Sequence, residues 1–323
     1  MSEPPAPNPD KPPTTRLRLS LPNRVADQVV RVSAHIAQAN PVVQGMLWAL
    51  AAGLVLNSLN ALVRVVAQGL DPLQTLFLRY LAGLVLMLPL VLNTGLAHYR
   101  TRDLRGQFIR CVVHVTGLMM WFTALPQVPL ADLTAIGFTT PIFLMLGAAF
   151  FLGEKMVLAR WVAAGIGFAG VLIVVAPSMT GAGGFYALLM LASSPVFAVS
   201  GLLTKTLTRL DSPAVIVFWQ ALTVTLFSLP LALLNWQPVA LWQWMLMAVC
   251  GIMGNVGHYC LNRSFAHADL SATQSIKFVD ILWASALGFI FFAEVPAKTT
   301  LLGAAVILAA SLWIARREAR TPT

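Results

Sequence analysis

The stretch 271–289, SATQSIKFVDILWASALGF, is apolar enough in its second half to lie in a membrane. Lys277 and Asp280 nevertheless stand inside it, one helical turn apart. A charged side chain in hydrocarbon is costly, and those that occur usually face the interior of a helix bundle or a water-filled cavity. The stretch therefore predicts a membrane helix whose charged face is turned towards other helices.

The composition of the whole chain agrees with a membrane location. Of the 323 residues, 58% are apolar and 10% are charged, and the mean hydropathy is +0.78. A soluble domain carries about 25% charged residues. The net charge of +9 would favour nucleic acid as the partner of a soluble protein, but here the basic residues flank apolar segments, so nucleic acid is not expected as a partner. The three cysteines all fall in apolar segments and predict neither a disulfide framework nor a metal site.

Segments long enough to cross a bilayer recur along the chain. A membrane-spanning helix needs about 20 predominantly apolar residues. Before the first such segment, the Pro-rich residues 1–20 predict a disordered cytoplasmic tail, and residues 21–43 predict either a helix on the membrane surface or an extension of the first span. Residues 316–323 predict a second cytoplasmic tail. The ten predicted spans are approximately 44–68, 72–94, 107–125, 130–152, 158–177, 184–206, 212–235, 241–264, 270–293 and 299–315.

The basic residues orient these spans. Cytoplasmic loops of membrane proteins carry an excess of Lys and Arg. With the N-terminus in the cytoplasm, 17 of the 21 Lys and Arg residues fall in cytoplasmic segments, a count that assigns Arg110 to the loop after the second span. One falls in an outer loop and three fall within spans. The bias predicts a multi-pass protein of a bacterial inner membrane with both termini in the cytoplasm.

The fourth and ninth spans end in a shared pattern. FLGE at 151–154 matches FFAE at 291–294, and ADLTA at 131–135 matches ADLSA at 268–272. If each half holds five spans, an odd number, the second half must insert upside down relative to the first. The sequence thus predicts two inverted five-helix repeats, residues 44–177 and 184–315. Glu154 and Glu294, at span ends beside water, are predicted to be solvated ends or gate staples rather than binding residues.

In their order and spacing these features resemble the drug/metabolite transporter superfamily, EamA type. The resemblance covers roughly residues 44–315 and is most evident in PLADLTAIGFTTPIFLMLGAAFFLGEKM (129–156) and DLSATQSIKFVDILWASALGFIFFAEVP (269–296). It implies transport of small organic metabolites, such as amino acids, vitamins or nucleotide-like compounds. The sequence has no phosphate-binding loop and no zinc-protease motif, so we expect no catalytic residues and no cofactor.

Polar side chains inside the spans supply the candidate binding site. In a membrane interior such groups either line a substrate pathway or form hydrogen bonds that hold helices together, and both interpretations stay open for most of them. Helical spacing places several on common faces. The candidate substrate-binding residues are Asn57, Asn60, Arg79, His114, Trp121, Gln220, Asn255, His258, Gln274, Lys277 and Asp280.

The charges within the spans indicate the class of substrate. Arg64, Arg79 and Lys277 outnumber Asp280, and an arginine can hold a carboxylate through two parallel hydrogen bonds. We therefore predict a secondary transporter that moves a small carboxylate-bearing anion or zwitterion by alternating access between the two halves. Two alternatives remain: a broad-specificity drug or metabolite exporter, and a membrane enzyme or lipid-handling scaffold. The sequence also leaves open whether a proton or another ion is coupled to transport, and whether two copies form a homodimer.

Overall fold

The computed structural model describes residues 40–128, 136–154 apart from 138, 158–175, 184–293 and scattered positions between 298 and 317. Every long element in these ranges is a helix, and no strand occurs among them. The predicted all-helical fold is therefore confirmed. The predicted N-terminal tail, nearly all of the predicted surface helix, Glu294 and most of the tenth span and C-terminal tail lie outside the described residues.

Helices coincide with each of the first nine predicted spans. A 3₁₀ turn, Lys277–Val279, joins the last two helices into one interrupted ninth span. The helices are α1 (Pro41–Val66), α2 (Pro72–Thr94), α3 (Leu104–Ala124), α4 (Thr139–Phe151), α5 (Leu158–Val175), α6 (Gly184–Leu207), α7 (Pro213–Ala232), α8 (Leu241–His267), α9 (Leu270–Ile276) and α10 (Asp280–Phe292). Among the described residues, five of them are long and apolar enough to cross a membrane, namely α1, α2, α6, α7 and α8, and shorter apolar helices fall within α4, α5 and α10.

Several helices begin where local chemistry requires it. Helices α1, α2 and α7 each start with a proline, whose fixed backbone angle suits the first turn and whose missing N–H would have had no helical partner. The preceding residue caps the free amides in each case. Asn40 accepts from the Val42 amide at 2.9 Å, and Asp71 accepts from the Leu73 amide at 2.8 Å. The turns GLDP and RLDSP thus define where the helices that follow them begin.

The packing of the helices repeats when the two halves are exchanged. Helix α1 packs against α8, and its counterpart α6 packs against α3. Helix α2 packs against α8 as α7 packs against α3, and α4 packs against α6 as the ninth span packs against α1. Exchanging the halves turns α2 into α7 and α4 into the ninth span, and the two members of each of these pairs pack against each other. This pairing is what a two-fold relation between two five-span halves requires, and it places the start of the ninth span opposite α4 at the centre of the molecule.

Helices α2 and α8 cross at glycines. A Cβ added to Gly251 would lie 2.5 Å from the backbone nitrogen of Gly83, so the two backbones touch directly. Small residues at such crossings let membrane helices approach closely enough for extensive van der Waals contact. The crossing fixes the position of Arg79, one turn before Gly83 on α2, against α8.

We expect Gly251→Ala to destabilise the protein by about 1–3 kcal/mol, because the added methyl group meets backbone atoms that have no side-chain freedom to move away. Gly165→Ala is the matched control, since a Cβ there meets nothing within 4 Å. The measurement is the thermal unfolding midpoint of both variants in the same detergent. Equal midpoints for the two variants would contradict the close crossing.

Candidate functional site

A cavity of about 260 Å³ lies between the two halves, lined by residues of α1–α4, α6–α8 and the ninth span. Concave sites of this kind, with a few convergent polar groups, are where small-molecule ligands bind. Ten of the eleven candidate residues line it. They are Asn57, Asn60, Arg79, His114, Trp121, Gln220, His258, Gln274, Lys277 and Asp280.

The eleventh candidate, Asn255, lies outside this lining. Its side-chain amide donates to the carbonyl oxygen of Gly83 at 2.8 Å. Because α2 crosses α8 at Gly83 and Gly251, this face of α8 is turned towards α2 rather than towards the cavity. The contact corresponds to the alternative in which a polar side chain holds two helices together.

Arg110 belongs to the cavity, although the charge count assigned it to a cytoplasmic loop. That assignment was wrong, because α3 begins at Leu104 and carries Arg110 into the bundle. Arg110 is 1% exposed, and its Nη1 donates to Gln220 Oε1 at 3.1 Å. The sequence did hold a signal, since the apolar segment from 107 to 125 already includes this position.

Gln220 on α7 is the centre of a buried hydrogen-bond network. Its Nε2 donates to the Tyr80 hydroxyl at 3.2 Å and lies 3.1 Å from Nε2 of His114. An amide NH₂ can only donate, so His114 accepts at Nε2 and carries its proton on Nδ1, which lies 3.2 Å from Ser200 Oγ. The Tyr80 hydroxyl in turn lies 3.4 Å from Nε2 of His258. The network fixes polar groups of α2, α3, α6, α7 and α8 around one wall of the cavity.

Two guanidinium groups, those of Arg79 and Arg110, face this cavity and have no carboxylate partner among the described residues. Arg79 is 4% exposed, and its guanidinium lies 4.2 Å from the centre of the Tyr80 ring. Gly254 makes room for it, because a Cβ there would overlap Nη2 of Arg79. Within the part of the chain that the structure describes, no carboxylate forms an ion pair with Arg79 or Arg110. An uncompensated buried charge costs several kcal/mol, which a bound anion would offset.

Lys277 and Asp280 form the ion pair that their spacing predicts. Lys277 Nζ lies 3.1 Å from Asp280 Oδ2, with side-chain exposures of 17% and 9%. The pair flanks the 3₁₀ turn that interrupts the ninth span, and both residues line the cavity. Asp280 packs directly on Gly53 of α1, where a Cβ would overlap Oδ1 of its carboxylate. The site therefore has one corner with the positive charges of Arg79 and Arg110 and another with the Lys277–Asp280 ion pair.

Glu154 joins the end of α4 to the start of α9. Its carboxylate accepts hydrogen bonds from the Leu270 amide at 3.0 Å and from the Ser271 amide and hydroxyl, each at 3.2 Å. Arg160 donates to the same hydroxyl at 2.8 Å. Lys205 donates to the carbonyl oxygens of Phe265 and Ala268 at 2.7 Å each, close to the same junction. These bonds connect the ends of five helices, α4, α5, α6, α8 and α9, at one junction.

Within the described part of the chain, the lining does not bring together the side chains that a metal ion requires. Across the described ranges, no group of three or more His, Cys, Asp or Glu side chains is placed to hold a metal ion. The free cysteines Cys111, Cys250 and Cys260 are buried. Leucines and aromatic rings form the apolar part of the wall, and Trp121 and Phe197 are centred 6.1 Å apart at an interplanar angle of 75°. The arrangement suits reversible binding of a small molecule with an apolar or aromatic body and a polar end.

Comparison with known proteins places the whole chain in a family. The model of the EamA-like transporter family matches the chain twice, at residues 43–176 and 184–316. A riboflavin transporter of Rhizobium johnstonii is 33% identical over 281 residues, covering 86% of this chain and 93% of that protein. A riboflavin transporter of Vibrio cholerae is 30% identical, covering 86% and 94%.

More distant relatives carry other molecules on the same scaffold. An S-adenosylmethionine uptake transporter of Rickettsia bellii is 26% identical, covering 77% of this chain and 85% of that protein. A crystal structure of a protein 17% identical shares the fold, with a TM-score of 0.68 over 85% of this chain and 99% of that chain. The matches span both halves and nearly the whole length of the first two relatives. The chain is therefore a multi-pass membrane transporter of small molecules rather than an enzyme, and it belongs to the EamA-like transporter family.

Proposed function

We propose that this transporter carries a small metabolite that has a carboxylate or a similarly electron-rich acceptor group at one end. The observation that supports this most strongly is the presence of two buried guanidinium groups, Arg79 and Arg110, which face the cavity and pair with no carboxylate among the described residues. Charge-assisted hydrogen bonds to a ligand oxygen would compensate these charges, each bond contributing about 1.5–3 kcal/mol.

The aromatic wall supports a ligand with a planar body. Trp121 and Phe197 meet edge to face, and the His114 ring lies 5.7 Å from Phe197. Rings held in this way present flat faces and edges to a bound ring, and such contacts add about 0.5–1.5 kcal/mol to the burial of apolar area. A metabolite with a ring at one end and acceptor oxygens at the other would use both parts of the cavity.

The relatives supply the first compounds to test. Riboflavin, the molecule named for two relatives, combines a planar ring system with carbonyl and hydroxyl oxygens. S-adenosylmethionine, named for a third, combines a planar base with a zwitterionic amino acid group. The alternative of a broad exporter of cationic drugs is disfavoured, because the cavity carries more positive than negative side chains.

The orientation of the protein in the membrane and the mode of transport are parts of the same proposal. The excess of basic residues in alternate loops supports a bacterial inner-membrane protein with both termini in the cytoplasm. Rocking of the two halves would open the cavity to each side in turn, and the Glu154 contacts would then close one end of it. That two copies form a homodimer stays a prediction, and the oligomeric state of the purified protein in detergent would test it.

The test is a thermal-shift screen of the purified protein against riboflavin, S-adenosylmethionine, amino acids, dicarboxylates and the cationic dye ethidium. A true ligand at about 100 times its Kd stabilises the native state by about 2.7 kcal/mol. We expect the ligand to be a compound with a carboxylate or carbonyl end, and we expect its shift to be lost in Arg79→Gln. Arg105→Gln, which removes an exposed arginine in α3, is the matched control.

Uptake of the selected compound into proteoliposomes then completes the test. A shift with ethidium alone would contradict the proposal and favour the broad exporter. So would a shift that survives both Arg79→Gln and Arg110→Met, because the ligand would then not depend on either guanidinium group.

A further inference from the structure

We propose that Asp280 is a proton-binding site coupled to the ligand through Lys277. When an acceptor group of the ligand engages Lys277, the carboxylate of Asp280 loses its ion-pair partner and binds a proton, so that ligand and proton occupy the transporter together. This inference rests on the proposed function and names the coupling ion for the same site.

Among the described residues, Asp280 has Lys277 as its ion-pair partner. Its Oδ2 lies 3.1 Å from Lys277 Nζ. Its Oδ1 is buried and has no hydrogen-bond partner. On that side the carboxylate rests on Gly53 of α1, which offers no side chain, while the nearby Asn57 amide is used by the Gly53 carbonyl oxygen at 2.9 Å. Lys277 is therefore the described group that compensates a negative charge on Asp280.

Lys277 is also in a position from which its side chain can move away from Asp280 and towards a ligand. It lies at the junction where α9 ends and a 3₁₀ turn begins, so its backbone is not fixed within a regular helix. Its side chain is 17% exposed and lines the cavity, and an ammonium group has three donors, so a ligand oxygen can compete with Asp280 for it. Short 3₁₀ segments inside helices often mark positions where the helix adjusts.

Removing one partner of a buried ion pair is costly, by about 3–5 kcal/mol, because the other charge is left uncompensated. A buried carboxylate avoids this cost by taking up a proton, which replaces the charge with a neutral group. The step balances in charge when Asp280 takes up one proton from the aqueous solution to which the cavity opens for each anionic ligand group that binds. An anionic ligand group and one proton would then cross the membrane as a neutral pair.

Other titratable groups face the same space and must be separated from Asp280 in any measurement. Across the cavity these are His114 and His258, with Arg79 and Arg110 as fixed positive charges. Helix α1 presents Gly53 and Asn57, and α4 carries no charged residue. Helix α5 packs against the 3₁₀ turn, and its Arg160 is bonded to Ser271 and paired with Asp269.

The coupling can be tested without knowing the ligand, because Lys277→Met imitates the loss of the lysine partner. We expect infrared spectra of this variant at neutral pH to contain the carbonyl stretch of one protonated carboxyl group that wild type lacks. The band should vanish in the Lys277→Met/Asp280→Asn double variant, which leaves both histidines unchanged. Lys298→Met removes an exposed lysine and should show no such band.

Lys277→Gln serves as a second variant, since it retains a hydrogen-bond donor but not the charge, and it should show the same band. Absence of the band from both variants overturns the proposal, whatever the substrate proves to be. For the compound identified by thermal shift, Asp280→Asn should keep exchange of labelled ligand across proteoliposomes but lose accumulation driven by a pH gradient. Accumulation by Asp280→Asn equal to that of wild type also overturns it, while a failure of every compound to bind counts against the proposed substrate alone.

Discussion

Arg110→Met is expected to reduce transport about 10- to 150-fold while leaving the stability of the protein within about 1 kcal/mol of wild type. The first figure is the loss of one charge-assisted hydrogen bond to the ligand, about 1.5–3 kcal/mol. The second follows because Arg110 is 1% exposed and has no carboxylate partner among the described residues, so its charge contributes little to folding. Replacing a buried charge by an apolar side chain of similar length is often neutral or stabilising.

Arg110→Met also removes hydrogen bonds from the buried network around Gln220, and this loss offsets part of the stability gained by removing the buried charge. Arg110 donates to Gln220 Oε1 at 3.1 Å and to the Ile216 carbonyl oxygen at 3.4 Å, and both acceptors lose that donor. Because Gln220 borders the cavity, water can replace the lost bond. Arg105→Met, at an exposed position of the same helix, should change neither transport nor the unfolding midpoint.

Uptake of the ligand into proteoliposomes and the thermal midpoint are measured on the same preparations. A variant that transports normally would show that Arg110 does not contact the substrate. A variant that unfolds would show that the guanidinium is a structural group, and either result would contradict the assignment of Arg110 to the binding site.

The sequence predicts the helices well because each span is a long apolar run ended by proline, glycine or charge. Lys277 and Asp280 could also be placed correctly, since a pair separated by three positions on a helix must meet, whatever the rest of the fold does. The same reasoning fails where contact depends on how two helices cross. Asn255 shares a helical face with His258, yet the crossing at Gly83 turns it towards α2.

Arg110 illustrates a different limit. A count of charges per loop treats a residue near a span end as being in water, but burial depends on the elements that surround the helix end. Here α7 covers that part of α3 and offers Gln220 and the Ile216 carbonyl oxygen as acceptors. Contacts of this kind join residues more than 100 positions apart in the chain, and periodicity within one segment carries no information about them.

Gly53→Ala is expected to abolish coupled transport and to destabilise the protein by about 1–3 kcal/mol, the usual cost of an added methyl group in a packed contact. A Cβ at this position would overlap Oδ1 of Asp280 and lie 2.8 Å from its Cγ, so the carboxylate must move away from α1. That movement draws Asp280 away from Lys277 Nζ, now 3.1 Å from its carboxylate, and so disturbs the pair that we propose couples ligand and proton. Gly165→Ala, with open space around the added carbon, is the control.

A second substitution distinguishes this contact from a general effect of alanine on α1. In the Gly53→Ala background, Asp280→Ala removes the carboxylate that the new methyl group displaces, so the double variant should be more stable than Gly53→Ala alone. Chemical or thermal unfolding of the four proteins gives the coupling energy between the two positions. Transport driven by a pH gradient should stay lost in the double variant, because the proton-binding group is gone. If the second substitution fails to recover stability, Gly53 and Asp280 do not share the space that the structure gives them, and the site must be arranged differently around the ninth span.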